Sequence, residues 1–237
     1  MSVRPMIALL AALSAGGATD SAKARNEPNR PPTRCVGRPN AGVLQHGRQL
    51  EARPYLQIKS GSEQNVWGHP VLVQLVNHAA RAAAVVPGSV ALIGDLSSPA
   101  GGPLPGHSSH QVGRDADVAF CAADAQGRPV VLQDFESFDA QGRGLSNPER
   151  YFDAYRNWLL LRVWLSELRV PVSHVFVSAE LRELLLDYGQ QSPEFSRHVP
   201  RAMQVLHAHP THVDHFHVRI ACPRDQGNDC IDDAREP

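Results

Sequence analysis

Segments with helical spacing alternate with short strand-like runs from about Arg34 to Pro223, and no internal repeat, low-complexity tract or linker interrupts this succession. The pattern limits the fold strongly, because helices and strands that follow one another without a break bury their apolar faces against a common core. The chain has 237 residues, which is ample for such a core. The sequence therefore predicts a single mixed α+β domain.

Apolar periodicity and turn residues predict the individual elements. Apolar residues at helical spacing indicate a helix over residues 70–86. Asn147 as cap and Pro148 at the first helical position predict a second, long helix that ends near residue 169. Further predicted elements are helices over residues 179–188, ended by Gly189, and 192–207, and strands over residues 90–93, 117–120, 172–178 and 212–221.

The N-terminal end of the chain has the pattern of an export signal. Arg4 precedes an apolar stretch at residues 5–13, and the small-residue step at residues 22–24 fits cleavage by signal peptidase. This stretch is shorter than the roughly 20 apolar residues of a permanent membrane anchor. Residues 1–24 are therefore predicted to be a signal peptide, and the protein is expected to be exported and to have no membrane span. A ragged start to a cytosolic chain is the alternative.

The regions on either side of the central part are predicted to be less regular. Residues 25–40 contain four prolines and predict an extended arm, residues 41–224 form the folded domain, and residues 225–237 are expected to be a C-terminal tail. The chain carries 23 basic and 24 acidic side chains, so it has no excess positive charge for a polyanion. Nucleic acid is not an expected partner, and nothing in the sequence indicates an oligomeric state.

The four cysteines fit an oxidising compartment, because an even number in an exported chain is most simply two disulfides. Three pairings are open from the sequence alone. Cys222 and Cys230 enclose only seven residues, including a proline and a glycine for a turn, so this pair is preferred and Cys35 with Cys121 follows by default. Four free buried thiols are the alternative. The chain has no C-x2-C spacing, which argues against a cysteine-based zinc site.

Histidine is the one unusual feature of the composition, with twelve residues, of which six lie between His198 and His217. A separate segment holds His110 and Asp117, with six residues between them and Gly113 where a tight turn is needed. If Asp117 lies on the strand that follows, the chain doubles back and brings an imidazole and a carboxylate to one point. This segment predicts half of a metal site.

The second histidine segment lies in the predicted last strand. Side chains alternate between the two faces of a strand, so His215 and His217 project to the same side while Phe216 and Val218 face the core. Residues 207–209 hold another histidine pair, but they lie at a predicted helix end, where side chains two apart do not share a face. That second pair is expected on the surface.

The two segments together predict a zinc site that performs hydrolysis. Zinc held by two imidazoles and one carboxylate, with bonds of about 2.0–2.2 Å, keeps a fourth position open for water. Such an ion lowers the pKa of the water toward about 7. A serine hydrolase is not favoured, because Ser108 and Ser109 stand in no G-x-S-x-G turn.

Four short segments carry a resemblance to a known family. They are GHSSHQVG at residues 106–113, DAD at 115–117, HVFV at 174–177 and HVDHFHVR at 212–219. They resemble the penicillin-insensitive murein endopeptidases of the lysostaphin, D-Ala-D-Ala metallopeptidase and hedgehog superfamily. The resemblance extends over about residues 34–224 and implies a central antiparallel sheet flanked by helices.

The resemblance also implies roles for individual residues. His110, Asp117 and His217 correspond to the zinc ligands. His215 corresponds to the catalytic residue beside the metal, and His107 to a possible additional ligand. The metal site of this chain is therefore expected to use residues of both segments.

Three further features match the family or its site. His212 corresponds to a functional histidine and is expected to orient His215 or the leaving amine. Arg219 is expected on the face of the strand histidines, where it binds a substrate carboxylate or makes a structural ion pair. The step from Cys222 to Pro223 also fits the family pattern, which supports the short disulfide.

The chain departs from the family in the region of a second metal. The family pattern places a further acid and histidine in the middle of the chain, but no histidine lies between His110 and His174 here. One zinc site is therefore expected, and Asp134, Glu136 or Asp139 could only approximate the ligands of a second.

By this resemblance, the predicted function is zinc-dependent hydrolysis of cross-links between peptidoglycan stem peptides, at the bond from D-alanine to meso-diaminopimelate, in the periplasm. One alternative is a D,D-carboxypeptidase that uses the same site on a terminal D-alanine. Another is a binding module in which zinc is structural. His215 is either the general base or the group that stabilises the oxyanion, and the sequence leaves both roles open.

Overall fold

A six-stranded sheet lies at the centre of the protein in the computed structural model, which describes residues 30–232. The strands are β1 (Arg34–Arg38), β2 (Ala41–Gln45), β3 (Arg48–Gln49), β4 (Leu56–Ile58), β5 (Trp67–Gly68), β6 (Ala91–Ile93), β7 (Asp115–Ala119), β8 (Ala122–Ala123), β9 (Pro129–Val130), β10 (Tyr151–Phe152), β11 (Val172–Val177), β12 (Leu206–Ala208) and β13 (His215–Ile220). The helices are α1 (Pro70–Ala83), α2 (Ala154–Ser166), α3 (Ala179–Gln191), α4 (Val199–Val205) and two 3-10 helices (Ser196–His198 and Arg224–Asp229).

The central sheet is mixed, with the strand order β12-β11-β13-β7-β6-β4. Strand β13 runs antiparallel to β11 and β7, whereas β11 with β12 and β4 with β6 are parallel pairs. Parallel neighbours need a crossover connection, which α1 provides for β4 and β6, and α3 and α4 provide for β11 and β12. The α+β class is therefore confirmed, but the expectation of an antiparallel sheet is wrong for these two pairs, because the crossover helices return the chain in the same direction.

Strand β13 separates the core from the histidine face, as predicted. Phe216 and Val218 are fully buried in the main core, and the Phe216 ring meets Trp164 of α2 edge-on at 5.4 Å between centroids. His215 and His217 line a cavity instead. Because α2 packs against the apolar side of β13, the chemistry of this strand is confined to the opposite side.

The long predicted helix begins later than its sequence signal. The predicted helix from residue 70 and the strands near residues 90 and 172 are present as α1, β6 and β11, but Asn147 does not cap a helix. Its side chain accepts a hydrogen bond from the backbone N–H of Glu149 in a turn, and β10 then pairs with β8. Asp153 provides the real cap by accepting from the backbone N–H of Arg156. The pairing of β10 therefore overrides the Asn-Pro signal.

The later helices also differ from prediction at two points. Helix α3 does not end at Gly189 but continues to Gln191. Trp158 packs directly on this glycine, and a Cβ added to Gly189 would lie 2.1 Å from the Cζ2 atom of Trp158. The glycine thus serves helix packing and does not end the helix. The helix predicted over residues 192–207 is divided into a 3-10 turn, α4 and the edge strand β12, which pairs with β11.

The structure confirms one of the two expected disulfides. Cys222 and Cys230 are bonded, with their Cα atoms 5.7 Å apart. Cys35 and Cys121 are free and buried, so their predicted disulfide is wrong. The physical reason is their placement: Cys35 packs in a small cluster beside Cys230, whereas Cys121 belongs to the main core. An even number of cysteines therefore did not mean that all four form disulfides. Burial raises the pKa of each free thiol to about 12.

We predict that the folded protein exposes no reactive thiol at pH 8, because Cys35 and Cys121 are buried and protonated. Denaturation without reductant should release two thiols per chain in a colorimetric thiol titration. Addition of reductant should raise the count to four. A count of zero in the denatured, unreduced protein would restore the Cys35–Cys121 disulfide.

The segments outside the central sheet pack against it where they are described. Residues 34–38, at the end of the predicted arm, form β1 and pair with β2 in a hairpin. The start of the predicted tail forms a 3-10 helix, whose buried Gln226 accepts a hydrogen bond from the backbone N–H of Cys35. The predicted signal peptide and residues 25–29 and 233–237 lie outside the described residues. Within residues 30–232, every helix is too short or too polar to cross a membrane.

Candidate metal centre

Three donor atoms, one from β13, one from β7 and one from the loop that precedes β7, converge on one point. His110 Nε2 lies 3.2 Å from Asp117 Oδ1 and 3.2 Å from His217 Nδ1, and the last two atoms are 3.3 Å apart. Tetrahedral bonds of about 2.0–2.2 Å to zinc place neighbouring ligand atoms about 3.3–3.6 Å apart. The triangle formed by His110, Asp117 and His217 therefore has nearly the size that one such ion requires.

The second nitrogen of each of these histidines is held by a hydrogen bond. His110 Nδ1 lies 2.6 Å from the carbonyl oxygen of Leu96, and His217 Nε2 lies 2.9 Å from Asp115 Oδ1. Both acceptors require a hydrogen on the nitrogen that they face. These bonds direct His110 Nε2 and His217 Nδ1 toward Asp117, with the tautomer that a metal ligand needs.

Asp117 contributes a buried negative charge at one corner of the triangle. Its Oδ1 atom is buried and has no hydrogen-bond partner among the described residues. Burial raises the pKa of this carboxyl, but the neighbouring His110, His217 and His215 together outweigh burial and hold the pKa well below its usual range. Burial likewise lowers the pKa of His110, yet Asp117, Asp115 and the Leu96 carbonyl together raise it to about 9. The point between the two groups thus favours positive charge, as a cation site does.

His107 lies beside the triangle on the other oxygen of Asp117. Its Nδ1 atom is 3.6 Å from Asp117 Oδ2, and its Nε2 atom is 2.9 Å from Asp95 Oδ2. Donor atoms of His107, His110 and Asp117 all lie within 4.8 Å of one another, so these three form a candidate metal group. The structure thus brings every sequence-predicted metal ligand to one place.

The backbone before β7 is shaped to deliver His110. This residue has φ +66°, a left-handed conformation that is uncommon outside glycine. Gly113 also has positive φ, and an added Cβ there would lie 2.8 Å from the Leu44 side chain. The turn therefore requires a glycine at position 113. The backbone N–H of His110 donates to Asp115 Oδ2 at 3.2 Å, which holds His110 in this turn.

Asp115 is a site residue that the sequence reasoning missed. Its carboxylate accepts hydrogen bonds from His217 Nε2 and from Arg219 Nε, the latter at 2.6 Å. Burial raises the pKa of Asp115, but Arg219 and His217 lower it far below its ordinary value. A signal was available, because residues two apart on a strand share a face and Asp115 stands two residues before Asp117.

Arg219 makes the structural ion pair that was one of its two expected roles. It is buried, bonds to Asp115 and lines the same cavity as the histidines. Its guanidinium also lies 5.7 Å from the Phe176 ring centroid, where cation and aromatic face attract each other. Binding of a substrate carboxylate by Arg219 stays a prediction.

His215 lies beside the triangle with its ring orientation set by neighbours. Its Nδ1 atom is 2.5 Å from Asp214 Oδ1, and its Nε2 atom is 3.5 Å from Asp117 Oδ1. The Phe135 ring stacks on the imidazole at 4.7 Å between centroids. The sequence analysis missed Asp214 and Phe135, although Asp214 stands next to the histidine in the chain. These contacts point Nε2 of His215 toward the centre of the site.

A pair of histidines forms the edge of the site. His212 Nδ1 lies 2.9 Å from His209 Nδ1, and both residues line the cavity. The expectation that residues 207–209 lie at a helix end is wrong, because they belong to the edge strand β12 and the residue after it. His209 is half-buried and lines the cavity. Burial, together with the neighbouring His217 and His215, lowers the pKa of His212 to about 3.

These side chains surround a cavity of about 470 Å³. Its walls include every sequence-predicted catalytic, metal-binding and substrate-binding residue except the buried Asp117. The lining residues are Gly106, His107, Ser108, Ser109, His110, Phe176, His209, Thr211, His212, His215, His217 and Arg219. The volume suits a short peptide segment rather than a single ion.

The three mid-chain carboxylates considered for a second metal have other partners. Glu136 accepts from Arg150 and from the backbone N–H of Ser146, and Asp139 accepts from backbone N–H groups of its own turn. Asp134 pairs with Lys59 at 3.3 Å. Each of the three carboxylates thus has another partner among the described residues.

Two histidines and an aspartate converge beside a polar cavity in this mixed α+β protein. This arrangement is typical of a metallohydrolase. The comparisons with known proteins identify the family. The family model of penicillin-insensitive murein endopeptidase, peptidase family M74, matches residues 35–237. The chain belongs to this family.

Two relatives with the same name show how far the similarity extends. The protein of Haemophilus influenzae is 27% identical over 175 residues, which cover 71% of this chain and 56% of the relative. The protein of Escherichia coli O1:K1 is 27% identical over 180 residues, which cover 72% of this chain and 60% of the relative. The chain therefore matches less than two thirds of the length of either relative.

Proposed function

We propose that the protein is a zinc-dependent endopeptidase that hydrolyses cross-links between peptidoglycan stem peptides, at the bond from D-alanine to meso-diaminopimelate. The observation that carries the proposal is the triangle of His110 Nε2, Asp117 Oδ1 and His217 Nδ1, with sides of 3.2–3.3 Å. Membership of the murein endopeptidase family supports the choice of substrate.

Two imidazoles and one carboxylate are a donor set that suits zinc at a catalytic site. Zinc held there supplies a Lewis acid that polarises the scissile carbonyl and lowers the pKa of a water molecule. The chain prepares this site through Leu96 and Asp115, which bind the far nitrogens of His110 and His217. His107 is a possible further ligand, although its contact with Asp95 holds one of its nitrogens.

His215 is the general base in this proposal. Asp214 accepts the Nδ1 hydrogen of His215, which leaves Nε2 as a proton acceptor on the side of Asp117. Nε2 removes a proton from the attacking water and then gives it to the amine nitrogen that leaves when the peptide bond breaks. Asp214 stabilises the positive charge that the imidazole holds between these two transfers. The His212 ring lies 5.0 Å from the His215 ring between centroids, and in this proposal it orients His215 or the leaving amine.

Family membership and the orientation of His215 decide between the candidate functions. Membership of the murein endopeptidase family favours the endopeptidase over the carboxypeptidase. The Nε2 atom of His215, oriented by the bond from Nδ1 to Asp214, favours both peptidases over a binding module with structural zinc.

The proposed location is the periplasm. The signal peptide predicted over residues 1–24 and the Cys222–Cys230 disulfide both fit an oxidising compartment outside the cytosol. Peptidoglycan stem peptides are then the partner that the protein meets there.

Digestion of purified sacculi tests the proposed function. The protein with zinc should convert cross-linked dimeric muropeptides to monomers, as mass spectrometry of the products would show. Removal of the metal by a chelator should abolish the conversion, and added zinc should restore it. Loss of only a terminal alanine would instead identify a carboxypeptidase, and unchanged sacculi would identify a binding module.

A further inference from the structure

The hydrogen bond between His209 and His212 has one donor and one acceptor, which can be identified. Their Nδ1 atoms are 2.9 Å apart, which is hydrogen-bond distance. Two neutral imidazole nitrogens attract at this distance only when one carries a hydrogen and the other a lone pair. One residue of the pair is therefore the donor and the other the acceptor.

Thr211 decides which of the two accepts. Its backbone N–H donates to His209 Nδ1 at 3.4 Å. Its Oγ1 atom lies 3.0 Å from His209 Nδ1 and 3.4 Å from His212 Nδ1, and a hydroxyl can donate or accept, so the backbone N–H carries the assignment. A backbone N–H can only donate, so His209 Nδ1 carries the lone pair. The hydrogen between the two rings then belongs to Nδ1 of His212, and Nε2 of His212 is unprotonated.

Backbone hydrogen bonds hold the chain in place at both histidines. The N–H of His209 donates to the carbonyl of Val177 at 2.8 Å, and the carbonyl of His212 accepts from the N–H of Ser178 at 2.7 Å. The N–H of His212 also donates to the carbonyl of His209 at 3.2 Å. Since the end of β11 anchors both residues, the contact between their rings is preorganised.

We propose that His209 is a positioning residue, which accepts the Nδ1 hydrogen of His212 and so makes Nε2 of His212 a hydrogen-bond acceptor in the cavity. The proposal rests on the proposed peptidase function for its substrate, whose scissile amide or leaving amine supplies the N–H that Nε2 accepts. His209 thus serves His212 as Asp214 serves His215, with a ring nitrogen in place of a carboxylate oxygen as the acceptor.

The tautomer of His212 tests the proposal without any activity measurement. Long-range 1H–15N correlation spectra of the zinc-loaded protein should show the hydrogen of the neutral His212 ring on Nδ1. His209→Asn, whose side-chain oxygen can accept in place of Nδ1, should keep this tautomer, whereas His209→Leu should lose it. A hydrogen on Nε2 of His212 in the unaltered protein would overturn the proposal.

Kinetics with a soluble cross-linked muropeptide dimer provide the second readout. His209→Leu should lower kcat about tenfold with KM within about twofold, and His209→Asn should recover most of the rate. Equal losses in the two variants, a change in KM alone, or full activity of His209→Leu would overturn the positioning role. An inactive unaltered enzyme would refute the proposed function instead, and the spectra would still decide the tautomer.

Discussion

Replacement of His215 by alanine is expected to lower the rate of cross-link hydrolysis by about 10²–10⁴-fold, which is the contribution typical of a positioned general base. The bound zinc should stay at the stoichiometry of the unaltered protein, because His110, Asp117 and His217 remain in place. The rate follows from muropeptide release, and elemental mass spectrometry gives the zinc content.

His78→Ala is the matched control for this variant, because His78 is an exposed histidine of α1 that lies outside the cavity. It should keep both the rate and the zinc content. Loss of zinc from His215→Ala would show that His215 is a ligand and that one of the three proposed ligands has been misassigned.

Replacement of Asp115 by asparagine is expected to weaken zinc binding by about 10–100-fold, the usual effect of removing the partner of a ligating histidine. The carboxylate also neutralises the buried guanidinium of Arg219 at 2.6 Å. Loss of its charge should therefore lower the free energy of unfolding of the metal-free protein by about 3–5 kcal/mol. Chelator competition measures the first effect, and urea unfolding measures the second.

Asp214→Asn is the matched comparison, because Asp214 is half-buried and bonds to His215 instead of to a proposed ligand. It should lower the hydrolysis rate while zinc affinity and unfolding stay near those of the unaltered protein. If Asp115→Asn bound zinc as tightly as the unaltered protein, the hydrogen bond to His217 would have no part in holding the metal.

The candidate site was predicted from the sequence more completely than the fold around it. His215 and His217 were placed on one side of a strand because alternation is a local property of extended chain. His110 and Asp117 were recognised by their spacing and by the family motif. Asp115 was missed, since its partners His217 and Arg219 lie more than 100 residues away in the chain.

The wrong predictions about the fold have the same cause as the missed Asp115, namely contacts between residues far apart in the chain. The Asn147–Pro148 signal was overridden by the pairing of β10 with β8, and Gly189 was needed for contact with Trp158. Counting cysteines did not reveal that Cys35 belongs to a different cluster from Cys121. In each case a contact between distant parts of the chain outweighed a valid local preference.

The sequence by itself determined the mixed α+β class, the family and the residues able to hold a metal, because periodicity, motif spacing and side-chain chemistry are all written locally along the chain. Only the tertiary structure decided the mixed sheet, the free cysteines, the hydrogen-bond partners of the histidines and the neutralisation of Arg219 by Asp115. These depend on which groups meet when residues far apart are packed together, and hydrogen-bond direction and charge pairing act only at that short range.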